Sequence, residues 1–242
     1  MKCYYDFHIH SCLSPCGDED MTPNNIVNMS LIKGLDAIAV TDHNCAKNLP
    51  AILECARDKL VVLCGMEVES CEEVHMVCLF ASYEACAKME DEVMASLNYI
   101  RNDVEIFGEQ TIMDKDDKQI ASIDNLLATA TSLSVYEIVE IAHKCGGVCI
   151  AAHIDKSSYS IISNLGFISD DLYIDAVEIS KNGSFDELVL KWESLGSYKI
   201  VSSSDAHYIC DISERVNYIE VDELCAQKII DTLRKKQSEK IL

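Results

Sequence analysis

Continuous apolar runs of strand length recur along this chain, alternating with amphipathic stretches, and most of them end in a short polar knot. That alternation is the pattern of βα units wound around a parallel sheet, and it narrows the fold to the α/β class. The predicted strands are residues 2–8, 36–40, 60–64, 74–80, 147–152, 176–180, 199–203 and 216–221. Helical patterns lie between them. Thr22-Pro23 opens one that Gly34 closes, with proline suited to a first helical position. Residues 49–58 and 83–101 give two more. Ser134 and Glu137 have capping-box spacing for a helix ending near Gly146-Gly147, and Ser184 and Glu187 repeat that spacing ahead of residues 188–195. A final helix is predicted over 222–236. Residues 107–132 are polar and irregular, and read as a lid or insertion, or equally as a plain solvated loop.

At 242 residues, one domain over the whole chain is the expectation. No apolar run is long enough to span a bilayer, and the start, Met1-Lys2-Cys3-Tyr4-Tyr5-Asp6, turns polar too soon for a secretory signal. The thirteen cysteines are odd in number, scattered, and form no Cys-x-x-Cys pair. They read as reduced, mostly buried thiols of a cytoplasmic protein rather than a disulfide framework. Forty-one acidic against twenty basic residues give a formal charge of −21. The one basic cluster is Arg234-Lys235-Lys236. Binding a phosphate backbone needs positive surface, so a long nucleic acid is an unlikely substrate, whereas a small anion beside bound metals is compatible with this charge.

The knots hold the chemistry. Six of the seven histidines stand beside carboxylates in them: His8-Ile9-His10, Thr41-Asp42-His43, Gly65-Met66-Glu67 with His75, Ala152-His153, and Ser204-Asp205-Ala206-His207. Histidine is the commonest metal-binding side chain, and carboxylates bridge metals in hydrolytic clusters. In a barrel of parallel strands, the carboxyl ends of the strands converge on one mouth. His8 and His10 share one side of an extended chain, as do Asp205 and His207. Asp42 is expected to hold an imidazole or a backbone amide, Glu67 to bridge metals, and His143 to be structural. Asp18 and Asp20 lie in a loop able to reach a second metal, or complement the dipole of the following helix. Together these residues point to a multi-metal hydrolase site.

The ordered set resembles the PHP (polymerase and histidinol phosphatase) family. The family pattern is a His-x-His after the first strand, a Thr-Asp-His, a Gly-x-Glu followed about eight residues on by His, a late lone His and a final Ser-Asp-x-His. The match runs from residue 8 to residue 207. The resemblance implies a distorted (β/α)7 barrel with three divalent metal ions (zinc, manganese or iron) at the C-terminal ends of its strands. His8, His10, Glu67 and Asp205 would hold the first, Asp18, His43 and His207 the second, and Glu67, His75 and His153 the third. The loop Ser14-Pro15-Cys16-Gly17-Asp18 is longer than in many relatives, which leaves Asp20 or Cys16 as alternatives to Asp18.

The function expected is hydrolysis of a small phosphomonoester, a nucleotide or a sugar or amino-alcohol phosphate, by a hydroxide that the metals generate. Asp205, His207 and Glu67 would act at the reacting centre. Lys156, Ser157, Asn44 and Arg215 are the candidate substrate contacts, Lys156 being the best cation for the phosphate. One alternative is an exonuclease, or a phosphatase of short oligonucleotides or nucleoside bisphosphates. The other is a non-catalytic metal-binding accessory module. Oligomeric state is not legible.

Overall fold

A computed structural model of the chain describes residues 1–234. Its elements are β1 (Lys2–Ile9), α1 (Pro23–Ile32), β2 (Ala37–Val40), α2 (Leu49–Ala56), β3 (Val61–Glu69), β4 (His75–Phe80), α3 (Tyr83–Ser96), α4 (Val104–Phe107), β5 (Thr111–Met113) and β6 (Gln119–Ser122). They continue with α5 (Val135–Lys144), β7 (Val148–Ala151), α6 (Ile161–Leu165), β8 (Ala176–Ser180), α7 (Phe185–Lys191), β9 (Ile200–Ser203), β10 (Tyr218–Glu220) and α8 (Ala226–Arg234). Lys235 and Lys236, which the sequence assigns to the last helix, lie outside the described residues.

Local chemistry sets the helix starts. The Thr22 hydroxyl accepts from the Asn25 amide at 3.3 Å, with Pro23 in the first turn of α1. Ser134 and Glu137 form the predicted capping box of α5, and the Ser184 side chain caps α7 through the Glu187 amide. The predicted helix over 83–101 ends early, at Ser96. Leu97 is extended there, and the chain pairs through isolated bridges Leu97–Thr131 and Arg101–Asn125.

Eight strands form one curled sheet in the order β10-β1-β2-β3-β4-β7-β8-β9. The end of β1 meets the residues following β9 through a parallel bridge, Ile9–Ala206, and the Phe7 amide donates to the Ser203 hydroxyl at 3.2 Å. The result is a distorted TIM-like barrel with β10 antiparallel on the outside of β1. One departure from the parallel expectation matters for the site: β4 runs antiparallel to both β3 and β7. β3 continues past Cys64, its last residue paired to β2, and turns back through residues 70–74, where the Ser70 amide donates to the Val74 carbonyl at 2.9 Å. Five residues cannot carry a parallel crossover, which needs about a dozen.

Strand alternation divides the interior into two cores. Ala37, Ala39, Val77, Leu79, Val148 and Ile150 join one face, where α8 adds Ile229, Ile230 and Leu233. Their neighbours Ile38, Val40, Met76 and Cys149 pack in the other, with Ile26 of α1, Ile52 of α2 and Ile138 of α5. Residues 107–132 are not a bare loop, since β5 and β6 form a hairpin there. The buried Gln110 ties its base, its amide nitrogen donating to the carbonyls of Ile123 and Asn125 at 2.6 and 2.7 Å. All thirteen thiols are free. Among the described residues no helix is long and apolar enough to cross a membrane.

Candidate metal centre

Two backbone contacts bring the first and last knots together. The His10 amide donates to the Ala206 carbonyl at 2.9 Å, and the Ala206 amide to the His8 carbonyl at 3.3 Å. Beneath them the buried Asp6 carboxylate accepts from the Ser204 amide at 3.0 Å, the Ser204 hydroxyl at 2.6 Å and the Ser213 amide at 2.9 Å. That loop puts the Asp205 carboxylate 3.4 Å from His8 Nε2 and 3.2 Å from His10 Nε2.

Glu67 is the hub. It lies within β3, whose pairing with β4 extends to Glu69, rather than after the strand as its position beyond Gly65-Met66 suggested. Its Oε1 is 2.9 Å from His75 Nδ1, 3.2 Å from His153 Nε2 and 3.3 Å from His8 Nε2. Its Oε2 is 3.2 Å from His43 Nδ1 and 3.4 Å from His10 Nε2. The antiparallel course of β4 is what delivers His75: the first residue of a reversed strand meets the last residues of its neighbours. Five imidazoles around one buried carboxylate form the core of the site, and His207 flanks it, its ring 4.2 Å from that of His10.

Supporting groups fix these side chains. His8 Nδ1 donates to the buried Glu178 carboxylate at 2.9 and 3.1 Å, and the same carboxylate accepts from the His153 amide at 3.3 Å. This selects the tautomer that leaves His8 Nε2 facing the centre. Glu178 was not picked out from the sequence. The signal was a lone charged residue inside the apolar strand Ala176-Val177-Glu178-Ile179. Asp42 takes the supporting role expected of it. It accepts from the Ser11 amide at 2.7 Å and from the Ser14 hydroxyl at 2.7 Å, and Ser14 in turn contacts His10 Nδ1 at 3.0 Å. Three positions at the mouth are strained: His153, Tyr159 and Asp205 have φ values of 28°, 55° and 53° without being glycine.

The electrostatics suit cations. Burial acts to raise the pKa of Glu67, but the imidazoles of His75, His8 and His43 overcome it and hold the carboxylate well below its usual range. Burial and neighbouring imidazoles push His43 well below the ordinary value despite Glu67, and burial with His10 brings His207 down to about 4. Both therefore offer neutral nitrogen lone pairs, the form a metal requires. The buried Nδ1 atom of His43 has no hydrogen-bond partner, although it lies 3.2 Å from Glu67 Oε2. Buried polar atoms are seldom left so, and a divalent cation among them accounts for it. Donor atoms of His8, His10 and Glu67 lie within 4.8 Å of one another, as do those of His43, Glu67 and His75, and those of His10, His43 and His207. The residues present fit divalent metals.

The remaining predicted residues divide. Lys156 reaches the mouth, its ammonium paired with Asp205 Oδ2, and lines a cavity of about 140 Å³ together with Ser158 and Tyr159. Ser157, exposed beside them, is not in the lining. Asn44 is fully buried. Its amide nitrogen donates to the carbonyls of Leu127 and Thr129, and its oxygen accepts from the Glu69 amide, so it braces loops and does not face a substrate. Arg215 is far from the mouth, stacked 3.9 Å over the Tyr4 ring and paired with Asp36 below the start of β2. Asp18 docks its loop by donating from its amide to the His207 carbonyl at 2.9 Å, but its carboxylate accepts from the Asp20 amide at 3.0 Å and joins no donor cluster among the described residues. Asp20 and Cys16 are exposed and join none either. His143 pairs with Asp175 at 2.7 Å, outside the site.

A TIM-like barrel with this donor set at its mouth defines a metal-dependent hydrolase. The chain belongs to the PHP domain family, whose model matches residues 6–181. Its fold is similar to that of the lesion-specific endonuclease Q of Pyrococcus furiosus, with a TM-score of 0.72 and 19% identity over 97% of this chain and 56% of that one. It is also similar to an amidohydrolase of Chromobacterium violaceum, at a TM-score of 0.59 and 19% identity over 95% of both chains. A third likeness is to a proposed metal-dependent phosphoesterase of Bifidobacterium adolescentis, at a TM-score of 0.55 and 19% identity over 84% of this chain and 87% of that one. At these identities the likeness is one of fold. The chain spans little more than half the length of the endonuclease. An endonuclease Q in complex with a 27-mer duplex carrying an abasic lesion is also similar in fold, at a TM-score of 0.69 and 19% identity over 97% of this chain and 57% of that one. No curated protein matches the chain.

Proposed function

We propose that this protein hydrolyses small phosphomonoesters with the help of three divalent cations, drawn from zinc, manganese and iron. The observation that carries the reading is Glu67 ringed by five imidazoles beside a lysine-bearing cavity of about 140 Å³. His8, His10, Glu67 and Asp205 would hold one cation, and His75 and His153 with Glu67 another. His43 and His207 would hold a third, with no carboxylate from the Asp18 loop beside them. Bound there, such cations neutralise charge on phosphoryl oxygens and acidify water.

The chain's own groups supply the rest. Lys156 provides a positive charge at the mouth for a phosphate oxygen, and its contact with Asp205 Oδ2 keeps the other carboxylate oxygen turned toward His8 and His10. Asp205 is 12% exposed where Glu67 is 1%, so it is the carboxylate nearer the mouth, and the imidazoles of His8 and His10 overcome burial to hold it well below the usual carboxylate range, which keeps it ionised as a cation ligand. The His207 Nδ1 proton is held by the Asp205 carbonyl at 2.9 Å, leaving Nε2 as its free nitrogen. The small cavity and the charge of −21 favour a small ester over a polymer.

A second reading, cleavage of nucleic acid, is favoured by the fold's likeness to endonuclease Q. Phosphate release from monoesters, nucleotides and short oligonucleotides, using manganese- or zinc-loaded protein beside His8→Ala, tests both. Monoester hydrolysis lost in the variant is the expected result. Shortening of oligonucleotides without monoester hydrolysis would transfer the assignment to nuclease. Silence throughout from metal-loaded protein would leave a metal-binding module.

A further inference from the structure

Tyr159 belongs to no group used so far, yet it stands at the mouth. It lines the same cavity as Lys156, Asp205 and His75. Its ring stacks on the His75 imidazole with centroids 4.8 Å apart and planes 24° apart. The residue is nonetheless 46% exposed, unusual for a large aromatic side chain packed against a buried cluster. Its backbone is fixed. The carbonyl accepts from the His75 amide at 2.9 Å, the next residue, Ser160, caps α6, and φ is +55°, a conformation that a tyrosine adopts only when its surroundings impose it.

A hydrophobic role does not explain this placement, because neither of the two main cores includes Tyr159. The geometry instead gives the mouth an aromatic wall in the same cavity as Lys156. One part of the ring is backed by His75 and the rest is open. Planar groups stack on such a surface with little loss of side-chain freedom, since the ring is already held.

We infer that Tyr159 is a stacking platform that selects phosphomonoesters whose leaving group is a planar ring, a nucleobase or an aryl group, over those with aliphatic leaving groups. This rests on the phosphoesterase reading for its catalytic form. Ser158, beside it in the lining, offers a hydroxyl to the edge of such a ring or to a sugar.

The test compares wild type, Tyr159→Ala and Tyr159→Phe, each manganese-loaded and with metal content measured. The ratio of kcat/KM for 4-nitrophenyl phosphate to that for glycerol 2-phosphate is the readout. Losing the stacking surface should lower the ratio about tenfold in the alanine variant and leave it unchanged in the phenylalanine variant. An unchanged ratio in Tyr159→Ala, or an equal fall in Tyr159→Phe, overturns the proposal. The binding form is tested apart from catalysis by the affinities of the same proteins for adenosine 5′-monophosphate and ribose 5-phosphate. Wild type should prefer the nucleotide about tenfold, and Tyr159→Ala should bind both alike. If wild type hydrolyses neither ester but shows that preference, the phosphoesterase reading fails and the platform stands. Equal affinities in wild type overturn the platform itself.

Discussion

Replacing Glu178 by glutamine exchanges one oxygen for an amide nitrogen behind the donor cluster, yet the structure predicts a large loss of metal affinity. The carboxylate is 1% exposed and contacts His8 Nδ1 through both oxygens, at 2.9 and 3.1 Å. It also receives the His153 amide at 3.3 Å, so one side chain orients residues at two corners of the cluster. Burial disfavours a charged His8, but Glu178 first, then Glu67 and Asp205, lift its pKa well above the ordinary imidazole value. The glutamine keeps one acceptor oxygen and loses the charge, so His8 becomes a poorer electron donor and its ring is held by one contact instead of two. Removing carboxylates that support metal-binding histidines typically costs about 10- to 100-fold in affinity. That corresponds to roughly 1.4–2.8 kcal/mol, in line with about 1.5–3 kcal/mol for a hydrogen bond to a charged group. Zinc titration against a competing chelator at pH 7.5 measures this directly, with circular dichroism to establish that the variant is folded. A folded Glu178→Gln protein whose zinc affinity stays within twofold of wild type would refute the reasoning.

Other consequences are open to measurement. In the cation-free protein His75 is pushed up to about 9, burial opposing and Glu67 and then Glu69 outweighing it. Against an unfolded value near 6.5, this contributes stability that is complete below about pH 6.5 and lost as pH rises through 9. Urea unfolding of chelated protein at pH 6 and 9 should therefore show a lower midpoint at pH 9, and the decline should shrink in His75→Gln, the remainder coming from His8, which is raised in the same direction. Because His75 is protonated at neutral pH without cations, loading manganese at pH 7.5 should release protons, detectable as a calorimetric heat that changes with the ionisation enthalpy of the buffer. A Cβ added at Gly147 would lie 2.4 Å from Phe80 Cε1 and 2.8 Å from the Leu79 carbonyl oxygen, so Gly147→Ala should destabilise by about 1–3 kcal/mol in denaturant titration. Thiol titration of native protein should show fast reaction at the exposed Cys210, slower reaction at the exposed Cys16, whose thiol burial and Glu67 push up to about 12, and reaction of the seven buried thiols only on unfolding.

Much of the barrel was legible because its strands are buried on both faces and read as uninterrupted apolar runs; residues 176–180 and 36–40 fall within a residue of the observed strands. Direction was not carried by those runs, since an apolar strand reads alike either way. The five residues between Glu69 and His75 were the available clue that β4 must turn back, and with it that His75 belongs to the site. The hairpin β5–β6 escaped because its strands are short and one is wholly exposed, leaving no apolar alternation to detect. Histidines ending strands were readable as site residues. Asn44, adjacent to one of them, was not separable from a substrate contact, because whether an amide faces a cavity or three backbone groups depends on loops far away in sequence. Arg215 failed for the same reason in reverse: a charge next to an apolar strand marks either end of the barrel equally well. Glu178 was hidden by its own strand.

The packing of α8 has a consequence for how the protein comes into being. Ile229, Ile230 and Leu233 sit in the same cluster as Cys3, Tyr5 and Phe7, residues of the strand that carries His8 and ends just before His10. Synthesis therefore delivers the first donors more than two hundred residues before the helix that completes the core supporting them. A nascent chain holding every histidine of the cluster still lacks part of that floor. Cation capture is thus tied to the arrival of α8, and fragments ended ahead of residue 226 should be poor at retaining metal even though they contain all its donors.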